Sequence, residues 1–346
     1  MKNQTENRKD EHVRVALEED VFASYNSWDD ITLKHNALPE INKEDVDLST
    51  QFLQANFEAP IIISAMTGGY NGGKTINQNL AEAASQFQIG MGVGSQRAAL
   101  EKPELCETYS VIKDYDIPLR IANIGASQLV LWKREHILDY AHKMIDMIDA
   151  NSFAICLNFL QEVVQSEGEA QAKGCLDAIA YLADNLPIPV IVKESGAGIR
   201  FDVAERLAQT KISAIDVGGA GGTSFASIEH HRANMIYDSL HARGGKTFWN
   251  WGIPTPISIL ETGEATNWEM PLIATGGIRN GLDAAKALVL GADVAGVAHL
   301  VLKPATEGKK ETLFEVDCLI KELRAAMFLL GCSNLMELSD VEVGLV

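Results

Sequence analysis

The chain has 346 residues, 47% of them hydrophobic, and a formal net charge of −18. No apolar span approaches the ~20 residues of a bilayer helix, so no membrane segment is expected, and an acidic chain without a concentrated basic face speaks against nucleic-acid binding. Five scattered cysteines with no C-x-x-C pair argue against a disulfide framework or a zinc site; with a polar N-terminus lacking a secretory signal, they point to the reducing cytoplasm.

In chain order, residues 1–57 read as an N-terminal extension with weak periodicity, a short helix over 10–20 and a basic cluster of Arg8, Lys9 and His12. Such extensions can close a pocket. Eight short apolar runs follow, at 61–64, 89–93, 119–123, 153–157, 190–193, 214–217, 272–275 and 294–297, each succeeded by glycine or polar residues and then a helical pattern. Continuous apolar runs suit parallel strands covered on both faces, and eight βα units fill a (β/α)8 TIM barrel over residues 58–346. The alternative, a doubly wound open sheet, lacks its glycine fingerprint, since the first turn reads SAMTGGYNGGKT. Residues 218–254, after the sixth run, are long for a barrel loop and form a candidate lid. The helical pattern over 313–338 reads as core packing.

Catalytic groups of a barrel gather at the C-terminal ends of its strands. Here those ends carry Thr67, Ser95, Gln96, Arg97, Asn123, Asn158, Gln161, Glu162, Lys193, Thr223 and the turn from Gly277 to Arg279. Gly276 and Gly277 let backbone N–H groups approach an anion, and Arg279 adds a charged donor, so this turn reads as half of a phosphate site. Lys193 either makes an ion pair with Glu194 or Asp216, or lies beside the pyrimidine edge of a flavin. Gln161 and Glu162 either begin a solvated helix or offer oxygen ligands to Mg²⁺ shared with a substrate phosphate. The Arg8–Lys9–His12 cluster is either solvated or converges with Ser95-Gln96-Arg97 into a diphosphate clamp.

The motifs RKDEH from Arg8, MTGG (Met66–Gly69), GSQR (Gly94–Arg97), ANIG (Ala122–Gly125), LNFLQE (Leu157–Glu162), VKESGAG (Val192–Gly198), GGAGGTSF (Gly218–Phe225) and TGGIRNG (Thr275–Gly281) resemble, in order, the type 2 isopentenyl-diphosphate isomerases. The resemblance implies a barrel that interconverts isopentenyl and dimethylallyl diphosphate with reduced FMN, Mg²⁺ and NADPH as reductant, and a homotetramer or homo-octamer. It implies FMN contacts at Ala65, Met66, Thr67, Ser95, Asn123, Lys193, Thr223, Gly277, Arg279, Ala298 and His299. Diphosphate contacts are implied at Arg8, Lys9, His12, Ser95, Gln96, Arg97, Asn158 and Gln161. Lys193, Gln161 and Glu162 inherit the catalytic roles, and Glu162 also the metal. The chain departs from the family pattern at Cys156, where histidine is usual, and a thiol is a poor phosphate donor. An FMN-dependent 2-hydroxy-acid oxidase is the rival in the same fold. It needs a histidine base and paired arginines, for which His230, His231 and Arg232 stand in the wrong context. A non-catalytic barrel is a further alternative.

Overall fold

Each of the eight apolar runs contains a strand of one closed parallel barrel in the computed structural model, which describes residues 4–345. Before the barrel come helix α1 (Gln4–Glu18), strand β1 (Ile31–Leu33) and the hairpin of β2 (Thr50–Phe52) and β3 (Ala55–Phe57). The barrel opens with β4 (Ile61–Ile63) and α2 (Gly73–Gln86), then β5 (Gly90–Gly92) with the short α3 (Arg97–Glu101) and α4 (Glu107–Ser110). Next come β6 (Arg120–Gly125) with α5 (Ala126–Leu131) and α6 (Arg134–Ile148), and β7 (Ser152–Cys156) with α7 (Phe159–Val164) and α8 (Cys175–Asn185). Strand β8 (Val190–Lys193) leads to α9 (Phe201–Ala208), and β9 (Ala214–Asp216) to α10 (Phe225–Met235), α11 (Ser239–Thr247) and α12 (Thr255–Ala265). The last units are β10 (Leu272–Thr275) with α13 (Gly281–Val289) and β11 (Val294–Val297) with α14 (His299–Glu307) and α15 (Lys309–Leu330); β12 (Val343–Leu345) follows.

Strands β4 to β11 pair in sequence and β11 pairs back to β4. Their side chains are almost all buried, because helices cover the outer face and packed residues fill the inner one. The barrel floor is plugged by the β2–β3 hairpin: Phe52 and Phe57 pack on Ile62, Leu119, Ile191 and Ile273. At the opposite end the register sets Gly125, Cys156, Lys193 and Asp216 side by side on four adjacent strands. On α15, Leu319, Leu323 and Met327 are buried, so the tail packs on the core as expected.

Three expectations change: α15 ends at Leu330, where Gly331 takes the left-handed conformation, short of residue 338. The first helix is already formed ahead of residue 10, from Gln4 among the described residues, and ends at Glu18. The supposed irregular lid is largely helical, with α10 capped by Ser224, whose side chain accepts from the Ser227 N–H, and α11 capped by Asp238, which accepts from the His241 N–H. Helix α10 buries Ser227, Glu229 and Arg232 beside its apolar residues, which erased the amphipathic pattern that would have revealed it.

Candidate active site

The C-terminal ends of the strands surround two adjoining cavities that share Ala65, Lys193, Ser195 and Phe225. The larger, about 450 Å³, is walled by the glycine turns at 218–222 and 276–277, with Thr223, Arg279, Ala298 and His299. The smaller, about 130 Å³, is walled by Arg8, Lys9, His12, Met66, Ser95, Arg97, Asn123, Cys156, Asn158, Gln161 and Glu162.

Most of the residues singled out from the sequence therefore meet at one mouth, with two exceptions. Gln96 is fully buried and lines neither cavity. Its Nε2 donates to the Met144 carbonyl and its Oε1 accepts from the Asn123 N–H, so it braces β6 from behind. Thr67 is also buried behind the wall; Asn123 Oδ1 and Asn158 Oδ1, by contrast, belong to residues that line the smaller cavity and have no protein partner. Buried polar atoms are normally satisfied, so these two acceptors fit a ligand that presents N–H or O–H donors to the smaller cavity, as the edge of a flavin reaching past the shared wall would.

Lys193 forms no direct ion pair with Glu194 or Asp216; its Nζ lies 3.2 Å from Cys156 Sγ. Burial disfavours its charge, but Cys156, Asp216 and Glu194 together outweigh that and hold the ammonium above its ordinary range. The carboxyls respond to burial in the opposite sense. Asp216 is pushed up to about 6 despite Lys193 and a 3.0 Å hydrogen bond from Thr275 Oγ1. Glu194 is pushed up to about 7 despite the N–H groups of Ala197 and Ser195.

At the smaller cavity α1 delivers the basic cluster. Lys9 Nζ donates to the Ser95 carbonyl at 2.8 Å, and burial, reinforced by Arg8, lowers it to about 7. His12 Nε2 and Glu229 Oε1 are 2.8 Å apart, and Gln161 Nε2 donates to the same oxygen at 3.3 Å. Burial would raise Glu229, but His12 and Arg232 outweigh it and hold the carboxylate ionised. Arg97 is steadied by Glu101 at 2.7 Å and Glu169 at 2.6 Å. Glu162 accepts from Asn158 Nδ2 at 3.0 Å and from the Glu169 N–H at 2.7 Å. Among the described residues no three metal-ligating side chains converge, so an ion at Glu162 would need oxygens from a bound phosphate.

At the larger cavity Arg279 is already engaged, by Asp283 at 2.8 Å and Asp29 at 2.6 Å, so its guanidinium is less free for a phosphate than expected. His299 donates to the Ala16 carbonyl and meets the Phe22 ring edge-on. Asn26, Trp28 and Asp29 were not anticipated, because isolated polar and aromatic residues in an irregular segment carry no periodic signal. His230 and His231 bond to the carbonyls of Ala242 and Asp20, and Arg232 is locked by Glu11, Glu167 and Glu229; none of the three lines either cavity.

A family profile described as FMN-dependent dehydrogenase matches residues 156–343. In fold the chain is similar to a mandelate oxidase variant carrying a monooxide FMN adduct, at a TM-score of 0.65 and 16% identity over 97% of this chain and 92% of that one. It is likewise similar to a flavocytochrome b2 variant with benzoylformate, at 0.66 and 17% over 99% and 82%. Sequence likeness is much stronger elsewhere. The isopentenyl-diphosphate delta-isomerase of Methanosarcina mazei is 44% identical over 99% of this chain and 93% of its own length. That of Thermoplasma acidophilum is 44% identical over 96% and 94%. With a barrel common to flavin oxidases but near-full-length identity to these enzymes, the chain belongs to the isopentenyl-diphosphate delta-isomerase family.

Proposed function

We propose that this protein interconverts isopentenyl and dimethylallyl diphosphate, with reduced FMN in the larger cavity, Mg²⁺ at Glu162 and no net redox change. NADPH is the proposed reductant, and the cytoplasm and a homotetramer or homo-octamer the proposed setting. The observation that carries this reading is the join between a glycine-walled cavity and a small cavity walled by Arg8, Lys9 and Arg97 and by the unpartnered oxygens of Asn123 and Asn158, with Lys193 common to both.

FMN, when bound and reduced, would supply one proton, take up the one released from the neighbouring carbon, and offer an electron-rich face to the cationic character that develops as the double bond moves. Asn123, which lines the smaller cavity, would meet the flavin edge that reaches past the shared wall, and Lys193 would stabilise its reduced anionic form. Arg8, Lys9 and Arg97 bind the diphosphate, and that remote binding orients the allylic carbons. Gln161, whose amide is oriented by Glu229, positions the chain, since an amide is a feeble acid or base. Met66 and Phe225 help exclude water from the reacting carbons. The hydroxy-acid oxidase reading fails on its base, because both candidate histidines point away from the cavities.

Anaerobic isomer exchange with FMN, NADPH and Mg²⁺ each omitted in turn tests the reading. Each omission is expected to abolish turnover; equal turnover in air with oxidised FMN, or a protein that takes up no flavin, overturns it.

A further inference from the structure

We propose that Asn26 and Trp28 are positioning residues for the flavin phosphate, so that part of the N-terminal extension serves the cofactor end of the site. The proposal rests on the FMN reading above and adds residues to it.

The argument starts from the two glycines of the turn after β10. Gly276 and Gly277 have φ of +123° and +71°, a conformation open to glycine but strained for other residues. Their carbonyls are tied down from outside the barrel. Trp28 Nε1 donates to the Gly276 carbonyl at 2.9 Å, Thr255 Oγ1 donates to the same oxygen at 3.0 Å, and Asn26 Nδ2 donates to the Gly277 carbonyl at 2.7 Å. In a trans peptide the C=O and the following N–H point in opposite directions. Fixing these two carbonyls therefore fixes the N–H groups of Gly277 and Ile278 on the opposite side, toward the cavity that both residues line. Among the described residues those two N–H groups have no protein acceptor. An anion seated there would depend on them all the more because Asp29 and Asp283 already engage Arg279.

The clamp is itself rigid. Trp28 is fully buried, its carbonyl accepts from the buried Lys286 Nζ at 2.6 Å, and its N–H donates to Asn26 Oδ1 at 3.2 Å. Asn26 also stands beside the neighbouring glycine loop: a Cβ added at Gly221 would come within 3.1 Å of Asn26 Oδ1. One side chain thus spaces the two loops that wall the phosphate end.

Comparing FMN with riboflavin, which lacks the phosphate, isolates this role. In Asn26→Ala and Trp28→Phe the Kd for FMN, read from flavin fluorescence, is expected to rise about tenfold, one lost net hydrogen bond to the turn, while that for riboflavin stays put. Equal weakening of both flavins, or an unchanged preference for FMN in both variants, overturns the proposal. In the unaltered protein, FMN but not riboflavin is expected to slow hydrogen exchange in residues 22–29; no difference between the two flavins there also overturns it. An unaltered protein that binds FMN no better than riboflavin would instead defeat the FMN reading itself, and this proposal with it.

Discussion

Lys193 carries three donors and gives one to a sulfur, the 3.2 Å contact to Cys156 Sγ, which leaves two for the shared wall of the cavities. An ammonium there favours a reduced, anionic flavin over the neutral oxidised one. Lys193→Met is expected to lower the flavin midpoint potential by about 30–60 mV, tenfold to a hundredfold in the two-electron equilibrium, as read by dye-equilibrated reduction. Glu162→Gln is expected to abolish Mg²⁺-dependent binding of inorganic pyrophosphate while the purified protein stays yellow, checked by calorimetry and the flavin spectrum. Lys9 gives a pH signature. Its pKa of about 7 lies below the ordinary 10.5, so the unfolded chain holds the extra proton between those values. Burying this lysine therefore costs stability below pH 7, and the cost fades as pH rises toward 10.5. A diphosphate bound there, as proposed, would restore the cation. Binding at about pH 8 should then take up a proton, and affinity should fall as pH climbs above 7. Calorimetry in two buffers of different ionisation heat reads this directly, and absence of uptake would remove Lys9 from the clamp.

Among the elements, the β2–β3 hairpin is a stabilising device remote from the chemistry. Phe57 is 2% exposed beneath the barrel, and Phe57→Ala is expected to cost about 3–5 kcal/mol. FMN affinity should be unchanged in the folded variant; calorimetric melting and a flavin titration separate the two effects. The barrel strands were readable because each is buried on both faces and so appears as an unbroken apolar run, as in Ile61–Ile63 and Val190–Lys193. The hairpin and Trp28 were not, because a three-residue strand or a lone tryptophan acquires meaning only from the surface it docks on. Helix α10 was hidden for the opposite reason, its core-facing positions being occupied by charged residues that pair with other elements. The polar mouth was legible as a set, since strand-end residues of a barrel converge. The inward turn of Gln96 was not, because the residue type alone does not say which side of the loop it takes.

Across the whole molecule the extension divides its labour. Helix α1 lies over the smaller cavity, held by Lys102–Glu6, Arg232–Glu11 and His12–Glu229, whereas residues 22–29 brace the glycine turns of the larger one. A chain lacking residues 1–14, which keeps the Ala16 carbonyl on His299, is therefore expected to keep FMN affinity within about threefold, a loss below 1 kcal/mol, but to lose inorganic pyrophosphate binding. Flavin fluorescence and calorimetry on the truncated protein check both halves, and joint loss of the two ligands would contradict the division.

The packed hairpin beneath the barrel leaves the rim as the route by which both guests arrive. In the proposed arrangement the guests meet at the wall of Ala65, Lys193, Ser195 and Phe225, and an isoprenoid seated under α1 covers the flavin there, so loading has a sequence: coenzyme first, isoprenoid second, departure in reverse. A saturating isoprenoid should accordingly trap the coloured group inside, and dilution of the charged enzyme should bleach it more slowly than dilution of the enzyme alone.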